Sequence, residues 1–410
     1  MLAYLNKAIY IGIIAVIFLF PAYLIRFSIL GVPTTAVESL IYFVFLMWLV
    51  SLFLEKDNSK LRKIKDIVVT NKLLVFGLFL FLLGAFASSL MSDDIIVSLG
   101  LFKAYFLDTF IFLLLFISVI SVNNLKYVLL SFTSSGLAVT LVSYIYFYKG
   151  ILTYDGRLEA IFNSPNFLAM SLAPLILVLV WVLLNKDIYK KYRVSTFFML
   201  ALVSALFLAT YSFGAFLAIF IALVVLCVLN TSSTPIRFLI LTLAFSLLLS
   251  FGGYKFEEIK LFLNNDRSSF ASREMIWDSS YRILKDNYIK GVGPGMFQPE
   301  YLAYKDTNKS PYLEWAVPYP HNIFLAFWIQ NGILGFSGFI VILFWMLKKV
   351  FNLRNQNDLS GKISILVVSY FVYLILHGMV DTPFWKNDLA LSFFLFIALL
   401  LVVSVNKKYP

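Results

Sequence analysis

Apolar runs of about twenty residues recur from one end of the chain to the other, separated by short stretches of charge, proline, glycine and asparagine. Each run is long enough to cross the ~30 Å hydrocarbon core of a bilayer as a helix. Bounded by charges and turn formers, the spans fall near residues 8–25, 34–54, 73–90, 100–120, 128–147, 165–184, 194–210, 213–229, 236–252, 321–347, 363–380 and 389–405. Twelve spans put both termini on one side. Of the 410 residues, 61% are apolar and 13% charged, against about 45–50% and about 25% in soluble domains, which excludes a soluble enzyme. The first span has no small-residue cleavage site and reads as a retained helix. The expected fold is therefore all-α and polytopic, with helices 1–9 over residues 1–252, an extracytoplasmic helical loop domain over 253–320 and helices 10–12 over 321–410. Cys227 is the single cysteine and lies inside an apolar run, so no intramolecular disulfide or paired-cysteine site is expected. With only two histidines, neither a metal centre nor a cofactor is expected.

Orientation follows from the loop cations, which are retained in the cytoplasm. One set of loops and both tails carries nineteen Lys and Arg; the short loops and helix ends of the other set carry five, namely Arg26, Lys103, Lys149, Arg157 and Lys386. Both termini are then cytoplasmic and the 68 residues from 253 to 320 lie outside, with nine basic and nine acidic residues. The formal net charge of +11 is mostly cytoplasmic, where it sets topology and meets anionic lipid headgroups rather than nucleic acid.

Ionisable groups within spans are expensive and tend to mark function. Glu38, Lys103, Asp108, Arg26 and His377 all fall in the outer half of their helices. A transporter keeps its coupling residues near the midplane, between repeats or broken helices, and neither an inverted repeat nor a broken-helix pair is evident. The picture is a polar chamber open to the outer leaflet and roofed by residues 253–320. Within that roof, Met275, Ile276, Tyr281, Ile283 and Leu284 approximate one face of an amphipathic helix at the membrane surface, with Arg273 near its N-terminal end. The run Gly291-Val292-Gly293-Pro294-Gly295 follows no strand, and Pro294 removes a donor, so it reads as a tight turn that brings backbone close to a neighbour rather than as a nucleotide loop. His321 follows Pro320 at the start of span ten, where an imidazole with an ordinary pKa near ~6.5 suits general-base chemistry. Gly332, Gly335 and Gly338 recur every three residues and let one face of that span approach another helix closely.

Arg273 with Trp277, the glycine run with Phe297, Pro320-His321-Asn322 with Leu325, and Asn331-Gly332 with Gly335 together resemble the O-antigen ligase and Wzy-type polymerase family. Gly156-Arg157, Phe162-Asn163, Pro165-Asn166, His377-Gly378 and Asp381 extend the resemblance over nearly the whole chain. It implies a GT-C-like membrane glycosyltransferase of the bacterial inner membrane, working without metal on its outer face. Such an enzyme moves a glycan from a polyprenyl (undecaprenyl) diphosphate donor to a hydroxyl on a glycan, lipid or protein acceptor. It also implies that His321 activates the acceptor and that Arg273 holds the diphosphate. Arg157 and Lys103 are the next candidates for diphosphate contact, and Asn322, Arg26 and Asp381 complete the candidate substrate site. Two positions depart from the family pattern: Tyr211-Ser212-Phe213-Gly214 lacks the arginine of a Ser-Arg-Gly junction, and a glutamate of span ten is replaced by Gln330. Ligase and repeat-unit polymerase remain equally open from sequence, and the alternative from another class is a twelve-span carrier or flippase of lipid-linked sugar or solute.

The cation count gives a topological prediction. A reporter active only outside the cytoplasm, fused at Lys305, is expected to be active, and the same reporter at Asn58 or Gln356 silent. The opposite pattern would put the chamber on the wrong side.

Overall fold

The computed structural model describes residues 1–29, 31–55, 57–185, 191, 193–230, 242, 269–304, 317–356 and 358–405. The ninth predicted span apart from Thr242, the stretches 253–268 and 305–316, and the C-terminal lysines fall outside these residues. The helices, in chain order, are α1 (Leu2–Phe18), α2 (Ala36–Leu54), α3 (Ser59–Thr70), α4 (Lys72–Leu90), α5 (Ile95–Val119, with a π-helical turn over Lys103–Leu107), α6 (Leu125–Tyr148), α7 (Pro165–Leu184), α8 (Arg193–Ala209), α9 (Phe213–Asn230), α10 (Ser269–Asn287), α11 (Phe297–Tyr304), α12 (Ile323–Leu353), α13 (Leu359–Gly378) and α14 (Asn387–Ser404). Among the described residues, nine helices are long and apolar enough to cross a membrane, and α1 and α8 are shorter apolar helices. Each of these eleven overlaps one predicted span. The protein is an all-α polytopic membrane protein.

Two elements depart from the sequence reading. Arg26–Ile29 (β1) and Val32–Thr35 (β2) form an antiparallel hairpin that pairs Arg26 with Thr35 and Ile29 with Val32. Thr35 then caps α2, its hydroxyl accepting from the Glu38 amide at 3.3 Å. Residues 59–70, expected as loop, form α3. Asp94 caps α5, its Oδ1 accepting from the Val97 amide at 3.0 Å.

Apolar side chains on every face force these helices into either a protein interior or lipid. α14 is the central one, with 89% of its apolar window buried, whereas α2 leaves Phe43, Leu46, Val50 and Phe53 exposed on its outer side. A second, smaller core of Ile276, Ile283, Leu284, Val292, Met296, Phe297, Tyr301, Val317 and Ile329 holds α10 and α11 to the beginning of α12. Tyr281, expected on the buried face of α10, is 67% exposed, since its position falls on the opposite side of the helix.

The sequence reading treats span ten as one continuous helix, and here the structure corrects it. Gly332 has φ 63° and ψ −175°, a conformation open in practice only to glycine. In a straight helix Phe327 and Phe339 would lie ~18 Å apart along the axis, yet their ring centroids are 4.3 Å apart, and Trp328 stacks on Phe336 at 4.8 Å. Residues 323–331 therefore fold back along residues 333–353. The glycine periodicity serves close packing, as expected: a Cβ on Gly338 would lie 2.3 Å from the Phe81 nitrogen of α4, one on Gly335 2.4 Å from the Asn331 side chain, and one on Gly84 2.1 Å from the Gly335 amide nitrogen. The expected close approach of the glycine run is equally concrete. Val292 N–H donates to Ile329 O at 2.8 Å, Gly293 N–H to Gln330 O at 3.0 Å and Gly295 N–H to Gln330 Oε1 at 2.7 Å, while Ile333 N–H donates to Ile289 O at 3.2 Å.

A Cβ at Gly332 would lie 2.3 Å from Ile289 O. Gly332→Ala is thus expected to cost at least about 2 kcal/mol through backbone strain alone, read as a lower midpoint of thermal unfolding in detergent. An unchanged midpoint would mean that the reversal is not required.

Candidate active site

The broken helix sets the geometry of the site. Because residues 323–331 turn back from the level of Ser88, whose hydroxyl donates to Gln330 O at 2.6 Å, down to Phe81, which meets Phe327 at 5.3 Å, His321 enters between α13 and α10. Three contacts fix it there. Asn322 caps the half-helix, its Oδ1 accepting from Phe324 and Leu325 amides at 3.0 and 3.1 Å, and its Nδ2 donates to Met379 O at 3.1 Å. Trp277 Nε1 of α10 donates to Pro320 O at 3.0 Å. His321 itself has φ 48°, a sparsely populated conformation for a side-chain-bearing residue that surrounding contacts must impose.

His321 Nδ1 lies 3.1 Å from Asp381 Oδ1. Asp381, in the turn between α13 and α14, has a side chain only 3% exposed. Burial acts to raise its pKa, but His321, with its hydrogen bond, together with His377 and Arg273, outweighs burial and holds the carboxyl below the usual carboxylate range. An ionised carboxylate only accepts, so the proton sits on Nδ1 of His321 and the Nε2 lone pair is the basic one. Nε2 meets no hydrogen-bonding partner among the described residues, and the imidazole is 29% exposed.

Two guanidiniums join this pair. Arg273, in the first turns of α10, donates from Nε to Val380 O at 2.8 Å, next to Asp381 in the chain. Arg157 donates from Nη2 to Asn166 Oδ1 at 2.8 Å, and Asn166 Nδ2 donates to Asp381 Oδ2 at 2.8 Å. Arginine only donates and the carboxylate only accepts, which settles the Asn166 amide orientation. Arg157 Nε also donates to Thr210 O at 2.9 Å, beside Leu158 N–H to Ala209 O at 2.9 Å. The arginine therefore reaches the junction, near Tyr211–Gly214, at which the family pattern has an arginine of its own. His377 is fully enclosed, with Nδ1 at 2.8 Å from Tyr373 OH.

The predicted residues thus fall into groups. His321, Asp381, Arg273, Arg157 and Asn322 come together, although the Asn322 amide is committed to capping and to Met379. Lys103 lies in a different cluster: Nζ pairs with Glu38 Oε2 at 2.7 Å and donates to Pro33 O at 3.3 Å. Arg26 stands exposed at the start of β1. Asn166 and Lys386 had no role assigned from sequence. Lys386 Nζ donates to Phe162 O at 3.1 Å and sits 3.9 Å over the Phe167 ring, its pKa lowered by burial. Its only sequence signal was a lone cation in a short loop; Asn166 carried the stronger one, standing directly after Pro165 among the residues of the resemblance.

Residues 198–340 match the family model described as O-antigen ligase (Wzy_C). Over that stretch the chain is similar to O-antigen ligases. The match includes Arg273, the glycine run and His321, while Arg157, Asn166 and Asp381 lie outside it and reach the matched residues only through the fold. The match supports a membrane ligase or polymerase of glycosyltransferase type, which acts on a lipid-linked glycan donor and a glycan acceptor. No curated protein matches the chain.

The Asp381 carboxyl yields a pH prediction. A depressed folded-state pKa contributes stability that is complete above the unfolded value of ~3.9 and lost as pH falls through the folded value. Asp381→Asn should therefore unfold at a lower temperature than wild type at neutral pH, and the gap should narrow below about pH 4. A gap of constant size across that window would show that the carboxylate is not the stabilising form.

Proposed function

We propose that the protein is a glycosyltransferase of the O-antigen ligase or repeat-unit polymerase type, transferring a glycan from a polyprenyl diphosphate carrier to an acceptor hydroxyl on the extracytoplasmic side of the bacterial inner membrane. The observation that carries this reading is the meeting of an aspartate-oriented imidazole with two guanidiniums in a chain similar to O-antigen ligases over residues 198–340. His321 Nε2 takes the proton of the acceptor hydroxyl as its oxygen attacks the anomeric carbon. The bond from that carbon to the diphosphate oxygen breaks, and the leaving diphosphate keeps the electron pair. Arg273 and Arg157 meet the charge that develops on it, a task suited to planar, forked donors. Asp381 keeps His321 in the required tautomer and stabilises the imidazolium that forms. Arg157 supplies, from a neighbouring segment, the cation that Tyr211–Gly214 lacks. Residues 253–320 serve as the outer domain over this site, and both termini lie in the cytoplasm.

The test is transfer from purified polyprenyl-diphosphate glycan by full-length protein. His321→Ala should lower turnover by ~10²–10⁴-fold with donor binding near normal. Arg273→Lys, which keeps the charge and loses the paired geometry, should lose most activity while still inserting. His377→Ala is the control, expected to lose stability before turnover, because His377 is enclosed against Tyr373. Normal turnover by His321→Ala would remove the base from the mechanism. Full activity in Arg273→Ala would remove the clamp, and solute transport without transfer would favour a carrier. Products growing as a ladder on the carrier identify a polymerase; a single transfer to a foreign acceptor identifies a ligase.

A further inference from the structure

At the end of the bundle opposite the dyad, α3 packs unlike the other helices. Over its twelve residues, a rise of ~18 Å, it meets the ends of three different spans. Near its start, Lys60 Nζ donates to Asn6 Oδ1 of α1 at 2.8 Å and lies 3.6 Å from Glu55 Oε1. One turn on, Lys63 Nζ donates to the carbonyl of Ile120, the C-terminal cap of α5, at 2.6 Å, where the helix dipole favours a cation. Just past its last residue, Asn71 Oδ1 accepts from Trp345 Nε1 of α12 at 3.2 Å. A helix that touches α1, α5 and α12 in turn runs across their ends, parallel to the membrane plane.

The inward face accounts for Lys60, Lys63 and Ile67, all buried. The remaining face carries Leu61, Arg62, Lys65, Val68 and Val69, with Lys72 following at the start of α4. Leu61, Val68 and Val69 are 43%, 40% and 55% exposed, and the three cations are exposed with no ion pair among the described residues. Spacings of three, four and seven residues place apolar and basic groups on one stripe. Such a mixed face is poorly served by water alone and fits the boundary between acyl chains and phosphate headgroups.

We infer that α3 is an in-plane interfacial helix whose outward face binds anionic phospholipid headgroups, with Leu61, Val68 and Val69 seated at the acyl boundary and Arg62, Lys65 and Lys72 on the phosphates. Charge complementarity selects the occupant: Arg62, Lys65 and Lys72 are exposed with no ion pair among the described residues, and the one carboxylate between them, Asp66, is half-buried at the edge of the stripe. The inference is independent of the transfer reaction.

Full-length protein with Cys227→Ala and Val69→Cys, labelled at the introduced cysteine, is reconstituted in nanodiscs containing equal amounts of phosphatidylcholine and phosphatidylglycerol. In paired samples only one of the two lipids carries brominated chains. Quenching by brominated phosphatidylglycerol should exceed quenching by brominated phosphatidylcholine at least about threefold at low salt, and the ratio should fall toward one at high salt. The same fall is expected without added salt in Arg62→Gln/Lys65→Gln/Lys72→Gln; the wild-type salt series decides the matter if that variant does not fold. Equal quenching by both lipids at low salt would overturn headgroup recognition. Quenching by aqueous iodide and by neither lipid would mean that the face meets water or a protein partner, and would overturn the interfacial placement itself.

Discussion

A carboxylate with a side chain 3% exposed would be prohibitive in an apolar bundle unless every one of its contacts favoured the charge. Asp381 meets that condition. Oδ1 accepts from the Thr382 amide at 2.9 Å and faces His321, Oδ2 accepts from Asn166, and Arg273 and His377 lie close enough to bias it toward ionisation. Asn166, Arg273 and His321 come from distant parts of the chain, so the carboxylate is the point at which α7, α10, the start of α12 and the end of α13 must agree in register. The tautomer of His321 and the seat of Arg157 both follow from that agreement. Stability and site geometry are coupled here: the contacts that make the charge tolerable are the ones that orient the imidazole and gather the cations.

That agreement depends in turn on the reversal at Gly332. A helix broken among apolar neighbours frees backbone groups that lipid cannot satisfy. The glycine run supplies them, since its amides reach Ile329 and Gln330 and the Ile289 carbonyl receives Ile333. Side chains at these glycines would collide with the partners they now approach: a Cβ on Gly291 would stand 2.4 Å from the Gly332 nitrogen, and one on Gly293 2.5 Å from Ser98 Oγ. Two motifs separated by forty residues are therefore two halves of one backbone arrangement, and Gln330, neutral where the family pattern has a glutamate, contributes both its main-chain and side-chain oxygens to it.

The spans were legible because lipid solvation imposes a length and a composition that survive in any sequence. His321 and Arg273 were legible because a resemblance of ordered motifs covers them. The break at Gly332 was not: its two flanks are as apolar as any continuous span, and the periodicity of Gly332, Gly335 and Gly338 has the same form whether the helix runs straight or reverses. Asn166 and Asp381 stand 215 positions apart, and no local pattern announces that an amide will bridge them. α3 was read only as charge, because four of its cations in six positions, Lys60 to Lys65, obscure an apolar stripe that appears once the helix is drawn.

The polar residues near the helix ends form two sets divided by an aromatic wedge. Asp381 begins the turn into α14, and Asn387 ends it by donating to Glu38 Oε1 at 3.0 Å, in the cluster where Lys103 pairs with Glu38 and Tyr42 donates to Asp108. Between these ends Phe384 packs on Phe81, Phe106 and Phe327, and Trp385 stacks against Tyr319. Depth along a helix places Lys103 beside the other cations; the wedge sets it apart and gives its charge to a buried glutamate. A lysine so engaged holds α2 to α5, and through Asn387 it steadies the far end of the same turn whose near end positions the imidazole.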